Sequence, residues 1–218
     1  MEEELWKKVH QRLFPEDYQI SNDNIIVNDT IEEKVEELLQ EFNGLVIIDE
    51  AYIDFSGKES WLSRLQQYPN LVITQTLSKA YGMAGIRLGI CCASRDIIDI
   101  LKKIKPPYNV NQLTQQRALN RILDVENVKA EVADILKGRD QLFKVLMEVS
   151  YVEKIYPSDA NFILLQVDDA TARYNQLIEK GIVIRNRSTQ PLCENTLRFT
   201  VGTTQENEKL IAALKSLT

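Results

Sequence analysis

Apolar residues form short continuous runs in the first half of the chain. Three of these runs, at residues 45–49, 71–76 and 87–93, are typical of strands that are buried on both faces of a parallel sheet. Stretches with helical spacing separate the runs. The alternation of strands and helices predicts an α/β layer with a mostly parallel sheet.

Helical spacing is clearest just before the first strand. Thr30 and Glu33 fit a capping box, in which each side chain satisfies the other's free backbone amide, and Gly44 suits the end of the same helix. Further helices are predicted at residues 2–13 and 60–68. Residues 14–29 are polar and broken, with room for one short strand.

The second half of the chain has a different order of elements. Two long helices are predicted first, at residues 111–123 and 126–149. Strands at residues 152–156, 162–167, 182–185 and 196–201 then alternate with helices at residues 170–180 and 206–217. Thr203 and Glu206 fit another capping box. This part predicts a separate α+β domain, with a boundary near residue 125.

Composition narrows the functional classes. The chain has 218 residues and a formal net charge of −6, which argues against a nucleic-acid binder, because phosphate neutralisation needs a basic surface. No apolar run approaches the roughly 20 residues that cross a bilayer, and the N-terminus lacks the basic region of a signal peptide. Three cysteines cannot form a disulfide framework, so a cytoplasmic location is expected. The single histidine, His10, argues against a multi-histidine metal site, and no metal is predicted.

Two polar segments follow buried strands. Asp49 ends the first run, and Tyr52 follows shortly after it. Ligands of α/β sheets bind beyond the carboxyl ends of strands, although Asp49 alone would also serve as a turn or helix cap. The second segment follows the next strand and combines hydroxyls, a lysine and an arginine, which suits a phosphate and a carbonyl cofactor. Its candidate residues are Thr76, Ser78, Lys79 and Arg87. A polar turn with a solvated lysine is the simpler alternative.

Arginines mark the last two strands. Arg198 lies in a strand whose alternation places it on the face opposite to Leu197 and Phe199, and Arg185 follows an apolar run. Either arginine alone would also fit an ordinary surface position.

Four segments in this order resemble the fold-type I pyridoxal-phosphate aminotransferases, and within them the histidinol-phosphate aminotransferase group. The matching segments are residues 45–55, 76–89, 161–164 and 197–203, and the likeness runs from about residue 31 to the C-terminus. The resemblance implies a partial large domain at residues 30–125, a small α+β domain at residues 126–218, and an uncertain segment at residues 1–29.

The resemblance also implies roles in cofactor binding. Lys79 matches the lysine that holds pyridoxal 5'-phosphate as a Schiff base and shuttles the proton. Asp49 matches the aspartate at the pyridine nitrogen, where a carboxylate keeps the ring protonated. Tyr52 matches the tyrosine at the ring hydroxyl. The positions associated with the cofactor phosphate are Thr76, Ser78 and Arg87.

The implied reaction is transamination of histidinol phosphate with 2-oxoglutarate in histidine biosynthesis, by a homodimer. Arg198 matches the arginine that binds the substrate's anionic end, and Arg185 matches a second substrate arginine. Alternatives are a threonine-phosphate decarboxylase, an aromatic aminotransferase, or a non-catalytic remnant that binds a partner. The family's glycine-serine turn, stacking aromatic residue and ring-binding asparagine have no match here. We therefore expect much of the family's N-terminal half to be lacking, with weak cofactor binding and with the runs at residues 45–48 and 71–73 exposed.

Overall fold

The computed structural model describes residues 28–217, with side chains from residue 32 onward. The predicted helix at residues 2–13 and the polar stretch up to residue 27 lie outside the described residues. The first half contains α1 (Asn28–Glu41), β1 (Val46–Asp49), α2 (Ile53–Ser56), β2 (Leu71–Thr76), β3 (Gly89–Ala93) and α3 (Arg95–Ile104). The second half contains α4 (Gln112–Leu123), α5 (Val125–Leu146), β4 (Val152–Ile155), β5 (Phe162–Val167), α6 (Ala170–Glu179), β6 (Arg185–Asn186), β7 (Thr196–Thr200) and α7 (Thr204–Lys215).

The chain divides into two compact units. The described part of the first comprises residues 28–48, 61–73 and 91–104. The second comprises residues 49–60, 74–90 and 105–217. The boundary expected near residue 125 stays a prediction.

A sheet with the strand order β1-β2-β3 confirms the predicted α/β layer. Val46 donates its backbone N–H to Asn70 O at 3.0 Å, and Glu50 donates to Thr74 O at 2.8 Å. Donor and acceptor both advance by four residues between these two bonds, so β1 and β2 run parallel. The carboxyl ends of the two strands therefore meet at one edge of the sheet.

The core of the first unit is small. Leu39 of α1 packs with Val46, Leu71 and Ile73 of the sheet. The expectation that the strands are buried on both faces is wrong for β1 and β3, because Ile47 is 64% exposed and β3 is exposed over its first residues. Within residues 45–48, the expected exposure of apolar side chains is found at Leu45 and Ile47. The prediction that residues 71–73 are exposed is wrong, since all three residues are buried.

Three local predictions need correction. α1 begins at Asn28, so Thr30 lies inside the helix and is not its N-cap. Residues 60–68 form only a short 3-10 turn at Trp61–Arg64, where the Arg64 guanidinium stacks on the Trp61 ring at 4.7 Å and binds Glu36 of α1. These tertiary contacts override the local helical spacing. The strand predicted at residues 182–185 is reduced to the two residues of β6.

One helix, α3, was not predicted, although Ile97, Leu101 and Ile104 recur at helical spacing. No helix of the described residues is long and apolar enough to cross a membrane.

The second unit contains an antiparallel sheet in the order β4-β5-β7-β6. One face packs into the core with the helices, through residues that include Ile163, Leu165, Leu197 and Phe199. Because side chains alternate along a strand, Phe162, Leu164 and Arg198 lie on the other face. The predicted placement of Arg198 opposite to Leu197 and Phe199 is therefore confirmed.

The predicted capping box at the start of α7 is confirmed. The Thr203 hydroxyl accepts a hydrogen bond from Glu206 N at 3.3 Å, and Glu206 Oε2 accepts one from Thr203 N at 2.7 Å. The hydrogen bonds from the Thr203 backbone and then from its side chain hold the pKa of Glu206 below its usual value. The ionised carboxylate therefore stabilises this helix end.

We expect Glu206→Ala to lower the free energy of unfolding by roughly 0.5–1 kcal/mol at pH 7. Because the folded pKa is depressed, the contribution is complete above the unfolded pKa and is lost as the pH falls through the folded pKa. The difference between the variant and the wild type should therefore shrink between pH 5 and pH 3 in denaturant titrations. Glu208→Ala, an exposed change on the same helix, is the control, and an equal effect of both variants would contradict the capping role.

Candidate active site

Asp49 ends β1 at the sheet edge where β2 also ends. Its Oδ1 accepts hydrogen bonds from Thr74 Oγ1 and from Ala51 N, both at 3.1 Å, and its side chain is exposed. Both bonds orient the carboxylate at the carboxyl end of β1. Asp49 is thus a fixed anionic acceptor that can still receive a further donor.

The loop after β2 carries the predicted hydroxyls and the lysine. Thr76 Oγ1 accepts from Ser78 N at 3.1 Å and donates to Leu88 O at 3.4 Å. A turn then closes through Gly82 N, which donates to Lys79 O at 2.9 Å, and Gly82 takes the left-handed φ of 66° that glycine favours. Ser78 and Lys79 are left half-exposed on this turn.

Arg121 of α4 braces the lysine turn from outside. Its Nε donates to Tyr81 O at 3.0 Å, while its two terminal nitrogens bind Asp124 and Glu131. The two carboxylates fix the guanidinium, and the guanidinium fixes the backbone two residues after Lys79. Sequence reasoning missed Arg121, because the contact joins residues that are 40 positions apart.

The Lys79 amine lies over an aromatic ring. Its Nζ is 5.0 Å from the centre of the Tyr52 ring, and among the described residues it forms no hydrogen bond or ion pair. The Tyr52 ring meets Phe162 edge-on, with 5.5 Å between the ring centres and 83° between the planes. The Arg198 guanidinium lies 4.9 Å from the centre of the Phe162 ring. We call this row of contacts, Lys79–Tyr52–Phe162–Arg198, the cation–aromatic row.

Arg185 and Arg198 are directly opposite each other on neighbouring strands. They are Cα partners in the β6–β7 register, and Leu164 is the partner of Arg198 on the other side. Like charges in directly opposed positions repel. Arg198 Nε is also buried and has no hydrogen-bond partner among the described residues. A buried donor without an acceptor is costly, so the pair is suited to an anion.

Arg87 is held in a strained conformation. Arg87 follows the short 3-10 turn Ala84–Ile86, and its φ of 54° lies in the left-handed region. Its Nη1 donates a hydrogen bond to Ala84 O at 3.0 Å. Non-glycine residues in this region are uncommon and cluster at functional sites. The guanidinium is exposed and keeps further donors for an anion.

A small cavity of about 130 Å³ borders the start of the lysine loop. Glu50, Asp54 and Tyr81 are among its lining residues. Burial raises the pKa of Asp54, and the negative charge of Glu50 adds to the rise. Glu50 accepts hydrogen bonds from Ser60 Oγ at 2.6 Å and from Gln75 Nε2 at 2.9 Å, so its carboxylate joins the segment after β1 to β2.

The predicted site residues thus lie in two groups within the second unit. The first group surrounds the edge of β1 and β2, and the second is the arginine pair of β6 and β7. Phe162, which sequence reasoning did not assign, contacts Tyr52 of the first group and Arg198 of the second through its ring. Among the described residues, no cluster of three or more His, Cys, Asp or Glu side chains could hold a metal.

The fold thus presents an aspartate and a lysine at the strand ends of an α/β sheet and arginines on a second sheet, an arrangement that suits enzymes with a reactive lysine. The family model for aminotransferase class I and II matches residues 29–214, and the chain belongs to this family. A histidinol-phosphate aminotransferase from Flavobacterium johnsoniae is 66% identical over 197 residues, which cover 90% of this chain and 56% of that protein. The chain therefore spans about half the length of the curated relatives it matches.

Solved structures agree with the fold. The histidinol-phosphate aminotransferase from Clostridium acetobutylicum matches with a TM-score of 0.80 at 24% identity, covering 87% of this chain and 58% of that one. A histidinol-phosphate aminotransferase from Sinorhizobium meliloti, solved in complex with pyridoxal-5'-phosphate, matches with a TM-score of 0.76 at 23% identity, covering 85% and 53%. At these identities the likeness establishes the fold, and it confirms the expected partial fold-type I architecture.

We expect Arg121→Leu to loosen the turn that carries Lys79, because the Tyr81 carbonyl loses its charged donor. The loss of such a bond corresponds to about 1.5–3 kcal/mol, so exchange of the Gly82 amide should speed up roughly tenfold or more. Hydrogen exchange resolved by mass spectrometry measures this rate. Arg117→Leu, an exposed change on the same helix, is the control, and unchanged Gly82 exchange in Arg121→Leu would contradict the bracing role.

Proposed function

We propose that this chain belongs to a pyridoxal-phosphate-dependent enzyme that transfers an amino group from histidinol phosphate to 2-oxoglutarate in histidine biosynthesis. The observation that carries the proposal is the cation–aromatic row. Its lysine and its arginine lie at opposite ends and have no acidic partner among the described residues. An amine that forms a Schiff base at one end and a cation that binds an anion at the other suit an amino-phosphate substrate.

The residues of the first group fit the cofactor. The Lys79 amine is unpaired, the Asp49 carboxylate is oriented but exposed, and the Ser78 hydroxyl has no hydrogen-bond partner among the described residues. Lys79 would hold the carbonyl carbon, Asp49 the protonated ring nitrogen and Tyr52 the ring hydroxyl. The phosphate would be held by Thr76, Ser78 and Arg87. When bound, pyridoxal phosphate supplies an electron sink for the carbon that bears the amino group.

Lys79 also has a second role in this proposal. Its amine takes the proton from the amine-bearing carbon of the substrate, and the Tyr52 ring beneath it confines where that amine can lie. Asp49 would hold the protonated ring nitrogen through a charge-assisted hydrogen bond. Arg121 keeps the lysine turn in place during the transfer.

The arginine pair is proposed to bind the substrate's anionic end. Two guanidinium groups suit a phosphate dianion better than one, and an anion relieves both the repulsion between Arg185 and Arg198 and the unpaired Nε of Arg198. A carboxylate of 2-oxoglutarate is the second occupant in this proposal. A decarboxylase of the same fold would release carbon dioxide, so product analysis with a labelled amino donor separates it from a transaminase.

A homodimer in the cytoplasm completes the proposal. Several large apolar side chains of the second unit are exposed, among them Tyr108 at 99% and Leu113 at 84%, which supports an association surface. The cysteines at positions 91 and 193 are free thiols, which supports a reducing compartment.

Lys79 should be the residue that pyridoxal phosphate modifies. After incubation of the 218-residue protein with excess cofactor, borohydride reduction should fix the label on the peptide that contains Lys79, because this amine has no counter-ion. Peptide mass spectrometry identifies the labelled residue. Lys79→Ala should remove the label, while Lys102→Ala, on exposed α3, should keep it. Labelling of Lys102 or Lys103 in place of Lys79 would overturn the assignment.

Arg198→Lys should weaken anion binding, because lysine lacks the planar fork of guanidinium donors. The loss of a charge-assisted bond corresponds to about ten- to a hundredfold in affinity. Calorimetric titration with histidinol phosphate, and with histidinol as the ligand that lacks the anion, measures it. Arg117→Lys is the matched control. An equal loss with histidinol would show that the variant is misfolded and does not specifically lose anion recognition.

A further inference from the structure

Phe162 stands in the middle of the cation–aromatic row, and the reaction proposed above gives it no task. One face of its ring lies beneath the Arg198 guanidinium, and the Tyr52 ring meets it edge-on. It is the residue through which the lysine group and the arginine pair are joined in this row.

The backbone of Phe162 is fixed on both sides. Phe162 O accepts a hydrogen bond from Ser158 Oγ at 2.5 Å, and the preceding carbonyl, Asn161 O, accepts one from Val201 N at 2.9 Å. The Cα of Phe162 is paired with that of Thr200 across β5 and β7. These bonds fix the backbone that carries the ring at the start of β5, so the position of the ring then depends on its side-chain torsions and on its contacts with Tyr52 and Arg198.

Arg198 needs such a support. Its Nε is buried and has no hydrogen-bond partner among the described residues, so no acceptor within that part of the chain orients it. Arg185 on the neighbouring strand repels it, and the Leu164 side chain on the other side has no polar atom. The face of the Phe162 ring, with its partial negative charge, is thus the contact that attracts the guanidinium.

We propose that Phe162 is a positioning residue, which holds the Arg198 guanidinium at a fixed distance from Tyr52 and the Lys79 amine. The inference rests on the proposed function, in which Arg198 binds the anionic end of an amino-phosphate substrate. A fixed guanidinium sets the span between the amine and the phosphate of the substrate that fits. Phe162 thereby selects substrates by length without touching the reacting atoms.

Two readouts on the 218-residue protein test this role. The first is the mobility of the Arg198 Nε–Hε bond from ¹⁵N relaxation, with the signal assigned by its loss in Arg198→Lys. The second is affinity for inorganic phosphate, followed at the same signal. Phe162→Leu should make this bond more mobile and weaken phosphate binding about three- to tenfold, the usual size of one cation–π contact. Phe162→Tyr keeps the ring and should restore both.

Tyr156→Leu is the matched control. It removes another ring that carries a cation, since Lys154 Nζ lies 4.7 Å from the centre of the Tyr156 ring, and it should change neither readout. A folded Phe162→Leu protein with unchanged Arg198 mobility and phosphate affinity would overturn the role of Phe162. If the wild type bound no phosphate, the proposed anion site would fail, and the Arg198 mobility in Phe162→Leu would still decide the positioning role.

Discussion

The parallel register of β1 and β2 is the constraint on which the site depends. The hydrogen bond from Glu50 N to Thr74 O sets that register at the carboxyl ends of the strands. The same register lets Thr74 Oγ1 donate a hydrogen bond to Asp49. A slip of one residue would turn Asp49 to the other face and would move the start of the lysine loop. Thus the pairing that builds the sheet also places an acid and a base at one edge.

Three cations of the second unit, Lys79, Arg185 and Arg198, belong to the proposed site. The whole chain is acidic, with a net charge of −6, yet Lys79, Arg185 and Arg198 have no acidic partner among the described residues. Aromatic faces take the place of carboxylates beneath Lys79 and Arg198. An aromatic face attracts a cation without neutralising it, so both cations remain able to bind charged ligand groups. In the proposed function, a carboxylate in either position would compete with the substrate phosphate at Arg198 or with Schiff-base formation at Lys79.

Local signals predicted much of the fold. The apolar run of β2, the alternation in β7 and the capping box of α7 depend on neighbouring residues, and each was confirmed. The helix expected at residues 60–68 was wrong because Arg64 is drawn to α1, a contact that no local pattern reveals. The expected burial of β3 was wrong for a related reason, since a continuous apolar run indicates a strand and says nothing about which faces are covered.

The candidate site likewise contains residues that short sequence segments reveal and residues that only contacts distant in sequence reveal. Each predicted site residue could be named from a segment of a few residues, because hydroxyls, a lysine and arginines beside buried strands are visible in the sequence. Arg121 and Phe162 could not be assigned in this way. Arg121 reaches Tyr81 across 40 positions, and Phe162, the first residue of β5, meets the Tyr52 ring that follows β1. Both residues act on the geometry of other side chains. Sequence segments therefore identify the candidate reactive groups, whereas the contacts that hold those groups in place emerge only from the register of the folded strands and helices.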